Sequence, residues 1–317
     1  MIASARLAAL VALALLATFL APAHAQLPRG KPIRLVVAYP AGGISDEVAR
    51  TLAEGVTQRT GVPVIVENRG GAGGVVALQA LARAPADGRT LVFSAISPLI
   101  IAAPAGTPAV DPRDVAPVLG VMTTPMLLLG TPALAGDTLA AAVAAARAAP
   151  GTLRWATSGV ATTGHLVLER VQAASGAQFT HVPYRGGGPQ LANALAGEFE
   201  LLSSNVGPLQ LQYVREGRVR PLAVGAPARL PVLPAVPTLA ELGYPDANLW
   251  STFGVFAPAS TPRAVVDALN AAFNAALADP ELAQRLAAAS NVSIGGPPEA
   301  FARHIARERD AARRAPK

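Results

Sequence analysis

Cysteine is absent from the 317 residues, so the chain has no thiol for a disulfide or for lipid attachment. Lysine occurs only as Lys31 and Lys317, no arginine run exceeds Arg313-Arg314, and aromatic residues make up 4%. Nucleic-acid binding calls for clustered cations and stacking rings, so this composition argues against it despite a formal net charge of +6. Catalytic signatures are missing too. There is no G-x-x-x-x-G-K-[ST] loop, and Gly71-x-Gly73 is followed by Val76 where a dinucleotide fingerprint has its third glycine. Ser158 has Ala156 where a nucleophile elbow has glycine, and His181 and His304 lack metal-ligand spacing. No cofactor and no metal are expected.

Long apolar runs are also missing, with one exception. Arg6 precedes a stretch from Leu7 to Ala17 that continues to Leu20, and Ala23-His24-Ala25 follows. The run is shorter than the roughly 20 residues a bilayer span needs, and Pro22 follows it. It reads as a secretory leader over residues 1–25, cleaved after Ala25. A periplasmic mature protein is expected, with a net charge of +5 once Arg6 is removed.

With 51% apolar residues over this length, two lobes are expected rather than one core. Ile33 to Tyr39 has the character of a buried parallel strand, and Ser45 to Arg59 carries Val48, Leu52 and Val56 at helical spacing before Gly61. Strand Val62 to Glu67, helix Gly73 to Arg83 and strand Thr90 to Phe93 complete a β-α-β-α-β unit. Between Val115 and Gly130 the alternation gives way to apolar segments broken by Thr123-Thr124-Pro125, a first passage between lobes. A second βα series runs from Leu139 to Gly225, with a crossing back near Val224. A proline-rich connector over 227–237 leads to a short helix, Thr238 to Leu242, and a strand, Leu249 to Phe256; helices starting near Pro262, Pro280 and Pro298 finish the chain. The expected lobes are 26–122 with 226–317, and 123–225.

Two strand-to-helix loops carry the functional signal: Tyr39 to Asp46 (YPAGGISD) and Ala156 to His165 (ATSGVATTGH). Small residues at such turns leave first-turn N–H groups unpaired where the helix dipole favours an anion. In the first loop, Gly42 and Gly43 permit close approach, and Ser45 offers a cap and a hydroxyl. Asp46 either complements the dipole or contacts a ligand ammonium or hydroxyl. In the second, Ser158, Thr162 and Thr163 supply hydroxyls, with capping as the plainer role. His165 is a structural hydrogen-bonder or a base. Tyr184, after strand Gln178 to Val182, faces the cleft or packs on its own lobe. Asn205, after strand Phe199 to Ser203, lies in the next strand-end loop, at the edge where open α/β sheets bind ligands. Asn68 to Gly74 reads as a plain glycine-rich turn opening a helix.

The segments PIRLVVAYPAGGISDEVAR, PVIVENRGGAGG, APADGRTLVF, WATSGVATTGHL, HVPYRGGGPQL, RPLAVGAPAR, LPAVPTLAELG and FAPASTP follow one another along nearly the whole mature chain. Together they resemble the Bug-type extracytoplasmic solute receptors of tripartite tricarboxylate transporters. The resemblance implies a type II periplasmic binding protein fold: two α/β lobes, joined by two crossing strands, with a ligand cleft between them. It implies a non-enzymatic, monomeric receptor that holds a small carboxylated solute, an organic acid or acidic amino acid, for the membrane permease subunits. Carried over, the shell draws on Tyr39, Gly43, Ser45 and Asp46 from one lobe and Ser158, Thr162, Thr163, Tyr184 and Asn205 from the other, with Ser94 and Ser97 at the wall. The chain departs from the family pattern at Ile44, at Ala161 and at Ser203-Ser204. Delivery to a signalling receptor is an alternative, and a hydrolase using Ser158 and His165 a more distant one.

Overall fold

A computed structural model describes residues 27, 30–102 and 108–314; the expected leader, with its cleavage after Ala25, lies outside the described residues. The first half opens with β1 (Ile33–Val37), α1 (Ile44–Thr60), β2 (Val64–Asn68), α2 (Val75–Ala82) and β3 (Thr90–Ala95), followed by a single turn, α3 (Ser97–Ile100). β1 lies between β2 and β3, parallel to both. Four of its five residues are buried and only Arg34 is exposed, which explains its mostly apolar character. α1 turns Val48, Leu52 and Val56 inward and stops at Gly61, whose φ of 69° lets its N–H reach the Thr57 carbonyl.

β4 (Val115–Gly130) runs through the Thr123-Thr124-Pro125 segment as one 16-residue strand. The second half then follows: α4 (Leu139–Ala148), β5 (Arg154–Thr157), α5 (Thr163–Ser175), β6 (Thr180–Pro183), α6 (Gly187–Leu195), β7 (Leu201–Asn205), α7 (Pro208–Arg215) and β8 (Arg220–Gly225). The chain returns through β9 (Trp250–Pro258) and ends in α8 (Arg263–Leu277), α9 (Pro280–Ala288), β10 (Val292–Ser293) and α10 (Pro298–Arg314). Strand order is β2-β1-β3-β9-β4-β7-β5-β6, with β8 and β10 also on β4.

β4 survives its proline because it changes partners there. From Val115 to Pro125 it pairs with β9, and from Met126 onward with β7 and β8. A missing N–H costs least at such a changeover. The apolar cores divide at the same place. Leu35, Leu52, Phe93, Val121, Phe253 and Phe273 share one cluster, whereas Met126, Leu128, Trp155, Leu168 and Leu201 belong to another.

The packing does not change sides at residue 226, as the sequence suggests. Ala226, Leu230, Leu233 and Val236 pack with Leu127 and Phe199 of the second half, and Leu239 and Ala247 with Trp155. Backbone bonds from Val224 N to Pro237 O and from Leu239 N to Val224 O hold this connector beside β8. The chain recrosses only near Trp250, paired with Pro125. The expected helix at Thr238 to Leu242 is a turn. Thr238 and Glu241 exchange the bonds of a capping box, Glu241 N to Thr238 Oγ1 at 3.1 Å and Thr238 N to Glu241 Oε2 at 2.7 Å. Gly243, at φ 88°, and Pro245 halt propagation after that turn.

Candidate ligand-binding site

A cavity of about 380 Å3 lies between the two halves, within the range of small-molecule sites. Both loops singled out in the sequence reach it. In the first, the N-cap of α1 is Gly43, which lacks a side-chain cap; Ser45, expected to cap, does not. The Gly43 carbonyl accepts from Asp46 N at 3.0 Å and Glu47 N at 3.2 Å. The N–H groups of Ile44 and Ser45 have no protein acceptor among the described residues.

Asp46 is the brace of this loop. Its carboxylate accepts from Gly42 N at 3.2 Å, Asn68 Nδ2 at 2.8 Å and Arg50 Nε at 3.1 Å. Burial raises its pKa, but Arg50, Asn68 and Gly42 outweigh that and hold the carboxyl below its ordinary value. Tyr39 supports the loop from beneath: its hydroxyl accepts from Ala95 N at 3.1 Å and donates to Gly73 O at 3.5 Å. Burial pushes the phenol pKa up, against the smaller pull of the Ala95 N–H and Ser94, so it stays protonated.

In the second loop Thr162 is the N-cap of α5. Its hydroxyl accepts from His165 N at 3.3 Å and donates to Gly159 O at 2.8 Å, so loop geometry uses it fully. The N–H groups of Thr163 and Gly164 are left without a protein acceptor among the described residues, and so are the Ser158 and Thr163 hydroxyls. Two helix N-termini thus present unpaired donors at one cavity. Among the described residues, no Arg, Lys or His lines it, whereas Asp46 and Glu47 do.

Tyr39, Gly42, Gly43, Ile44, Ser45, Asp46, Ser97, Ser158, Thr162, Thr163 and Asn205 all line the cavity. Ser94, His165 and Tyr184 do not. Ser94 donates to Ala95 O within the sheet, and Tyr184 packs edge-on against Phe199 with its hydroxyl bonded to Asn193 Nδ2. His165 lies behind its loop, accepting at Nδ1 from Ala161 N (3.3 Å) and stacking on His181 with centroids 4.2 Å apart. The sequence reading did not single out Met126, Gln190, Gln210, Ser251 and Phe253, which also line the wall, and it named Ser203 and Ser204 only as departures from the family pattern. Ser203 and Ser204 were within reach of the strand-end argument that found Asn205; Gln190 and Gln210 are set by how α6 and α7 pack.

The glycine-rich turn at Asn68 to Gly74 does more than open a helix: it meets the second loop. A Cβ on Gly73 would lie 2.8 Å from Thr162 Cγ2 and 3.2 Å from the Val160 carbonyl, and one on Gly159 would lie 3.1 Å from Gly73 N. Among the described residues, no group of three or more His, Cys, Asp or Glu is arranged to hold a metal, and no helix is long and apolar enough to cross a membrane.

The histidine stack titrates. Burial, followed by the nearby His165, pushes His181 down to about 4, and burial lowers His165 against the opposing pull of Glu169. Both rings are neutral in the fold, and His181 takes the proton more readily once unfolded, at an ordinary value of 6.5. Stability should therefore be full above pH 6.5 and fall as the pH drops toward 4, by about 2 kcal/mol after allowance for partial exposure. Urea unfolding across this range should show that slope, and His181→Asn should flatten it; equal slopes would count against the pair.

Residues 48–310 match the family described as the tripartite tricarboxylate transporter family receptor, TctC. The chain is 34% identical to protein BugT of Bordetella pertussis over 91% of this chain and 89% of that one. Two solved structures superpose closely. MatC from Rhodopseudomonas palustris with bound malate has a TM-score of 0.83 at 26% identity, covering 90% of this chain and 98% of that one. The R. palustris protein Rpa4515 with adipate has a TM-score of 0.82 at 31% identity, covering 89% and 95%. Matched along most of its length, this chain belongs to the tripartite tricarboxylate transporter receptor family, of the Bug type, a family of periplasmic solute-binding receptors.

Proposed function

We propose that this receptor captures a small carboxylated solute, an organic acid or acidic amino acid, and presents it to the membrane permease subunits of a tripartite tricarboxylate transporter. The observation that carries this reading is the pair of helix N-termini, at Ile44-Ser45 and Thr163-Gly164, whose unpaired N–H groups converge on one cavity. The bound adipate and malate of the two R. palustris relatives fit the same chemistry. The solute contacts Gly43, Ser45, Ser158 and Thr163; Asp46 and Thr162 shape the loops that hold it.

The receptor works as a monomer, exported by the leader over residues 1–25. Its lobes differ from the expected 26–122 with 226–317 and 123–225 in one boundary: the packing of the connector favours a second lobe that runs on to about residue 248. They close about the crossings at Thr123 to Pro125 and Leu249 to Trp250. Binding is the whole activity. Ser158 has no hydrogen bond to His165, whose Nδ1 is engaged by Ala161, so a nucleophile and base are not paired.

Calorimetry on ligand-free protein with a panel of small mono- and dicarboxylates should find at least one acid with a dissociation constant near micromolar, equivalent to roughly 8 kcal/mol. Folded protein that binds none of them more tightly than chloride would refute the reading.

A further inference from the structure

Gln190, on α6, is fully buried at the cavity wall. Its side-chain amide spans the ends of two parallel strands. Nε2 donates to the Ala156 carbonyl on β5 at 3.0 Å and to the Ser203 carbonyl on β7 at 2.9 Å. Carbonyls only accept, so both N–H groups are used and the amide cannot be flipped. Oε1 is therefore an acceptor of fixed orientation. It is buried and has no hydrogen-bond partner among the described residues.

The surroundings repeat this chemistry. Asn205, which ends β7 at the same wall, also has a buried Oδ1 without a partner. Ser203 Oγ, which accepts from Trp155 Nε1 at 2.7 Å, holds the β5 and β7 ends together beneath the glutamine. The helix N-termini supply unpaired donors for an anion; this wall supplies unpaired acceptors on rigid elements. A buried acceptor left without a donor is costly, so such a site discriminates strongly against a ligand that lacks one.

Resting on the carboxylate reading above, we infer that Gln190 is a specificity-determining residue: the site selects acids that also carry a hydrogen-bond donor, a hydroxyl or an ammonium, and places that donor on Gln190 Oε1. A bare carbon skeleton with the same carboxylates binds less well.

The test uses matched acids that differ in one substituent: succinate, malate and aspartate, and propionate, lactate and alanine. Within at least one set, calorimetry should show the hydroxylated or aminated member binding roughly 10- to 100-fold more tightly than the unsubstituted acid. Which of the two wins identifies the donor. In Gln190→Met, which removes the acceptor and keeps the length, the ratio should fall to within about threefold. The wild-type ratios stand alone if that variant fails to fold. Acids that bind with equal affinity in both sets, as when water satisfies Oε1 equally well, would overturn this inference and leave the carboxylate reading intact, as would a ratio unchanged in folded Gln190→Met. If none of the six acids binds, the carboxylate reading loses its support and this inference falls with it.

Discussion

Replacing Gly73 by leucine should weaken ligand binding by about 100-fold while leaving the protein folded. The backbone there has φ 64°, and a Cβ would lie 2.8 Å from Thr162 Cγ2 across the cleft. A bulky side chain at this point holds the two loops apart. Affinity scales with the population of the binding-competent state, so a closed form reduced to about 1% costs that factor without any change in ligand contacts. The same substitution at Gly61 is the control. Its φ is 69°, but nothing lies within 4 Å of its Cβ position. Gly61→Leu should pay only the left-handed backbone cost, about 1 to 2 kcal/mol of stability, and bind normally. Titration of both variants with whichever acid binds the wild type decides the matter; equal affinities would mean that the Gly73 contact has no part in holding the ligand.

Trp155→Ala should cost about 3 to 5 kcal/mol, a large share of the stability of an ordinary domain. Trp155 is 0% exposed, lies edge-on to Phe179 with centroids 5.0 Å apart, and donates from Nε1 to Ser203 Oγ at 2.7 Å. Alanine would leave a cavity beneath the sheet and a buried hydroxyl without its donor. Trp155→Phe keeps most of the volume and should lose about 1 to 2 kcal/mol. Urea midpoints measure both. Because β5 runs directly into Ser158, the alanine variant should also bind less tightly; a loss under about 1 kcal/mol would show that the site collapses around the gap.

The parts of the fold that were legible are those specified by nearby residues. α1 could be placed from Val48, Leu52 and Val56 and from Gly61, because periodicity and a left-handed glycine are local signals. The two loops that reach the cavity were found for the same reason: each is a strand end, small residues and a helix start within ten positions. Where the sequence misled, distant partners had decided. β4 continues through Pro125 because β9, β7 and β8 share its edges, and Thr238 to Leu242 has a capping box yet makes only a turn.

At the site, Ser45 looked like a cap and Asp46 like either a dipole partner or a ligand contact. The structure gives the N-cap to Gly43 and occupies Asp46 with Gly42, with Arg50, its i+4 neighbour on α1, and with Asn68, which no local pattern ties to it. Gln190 escaped notice because a glutamine in a helix is ordinary until two strand ends take up its amide hydrogens. The turn at Asn68 to Gly74 was read as plain because the loop it meets is far along the chain.

The sequence by itself determined most of the order of strands and helices, the two donor-bearing loops and, through motifs spread along the chain, the family. Those properties depend on residue type and short spacing, which the chain carries before it folds. Tertiary structure alone decided which hydroxyls remain unpaired, that no cationic side chain among the described residues lines the cavity, that the second core extends past Ala226 and that Gln190 keeps a buried acceptor without a partner. Each of these depends on which buried groups find partners across long separations. Hydrogen bonds must be satisfied over the whole assembled structure, and no segment can show in isolation which of its polar atoms will be left over.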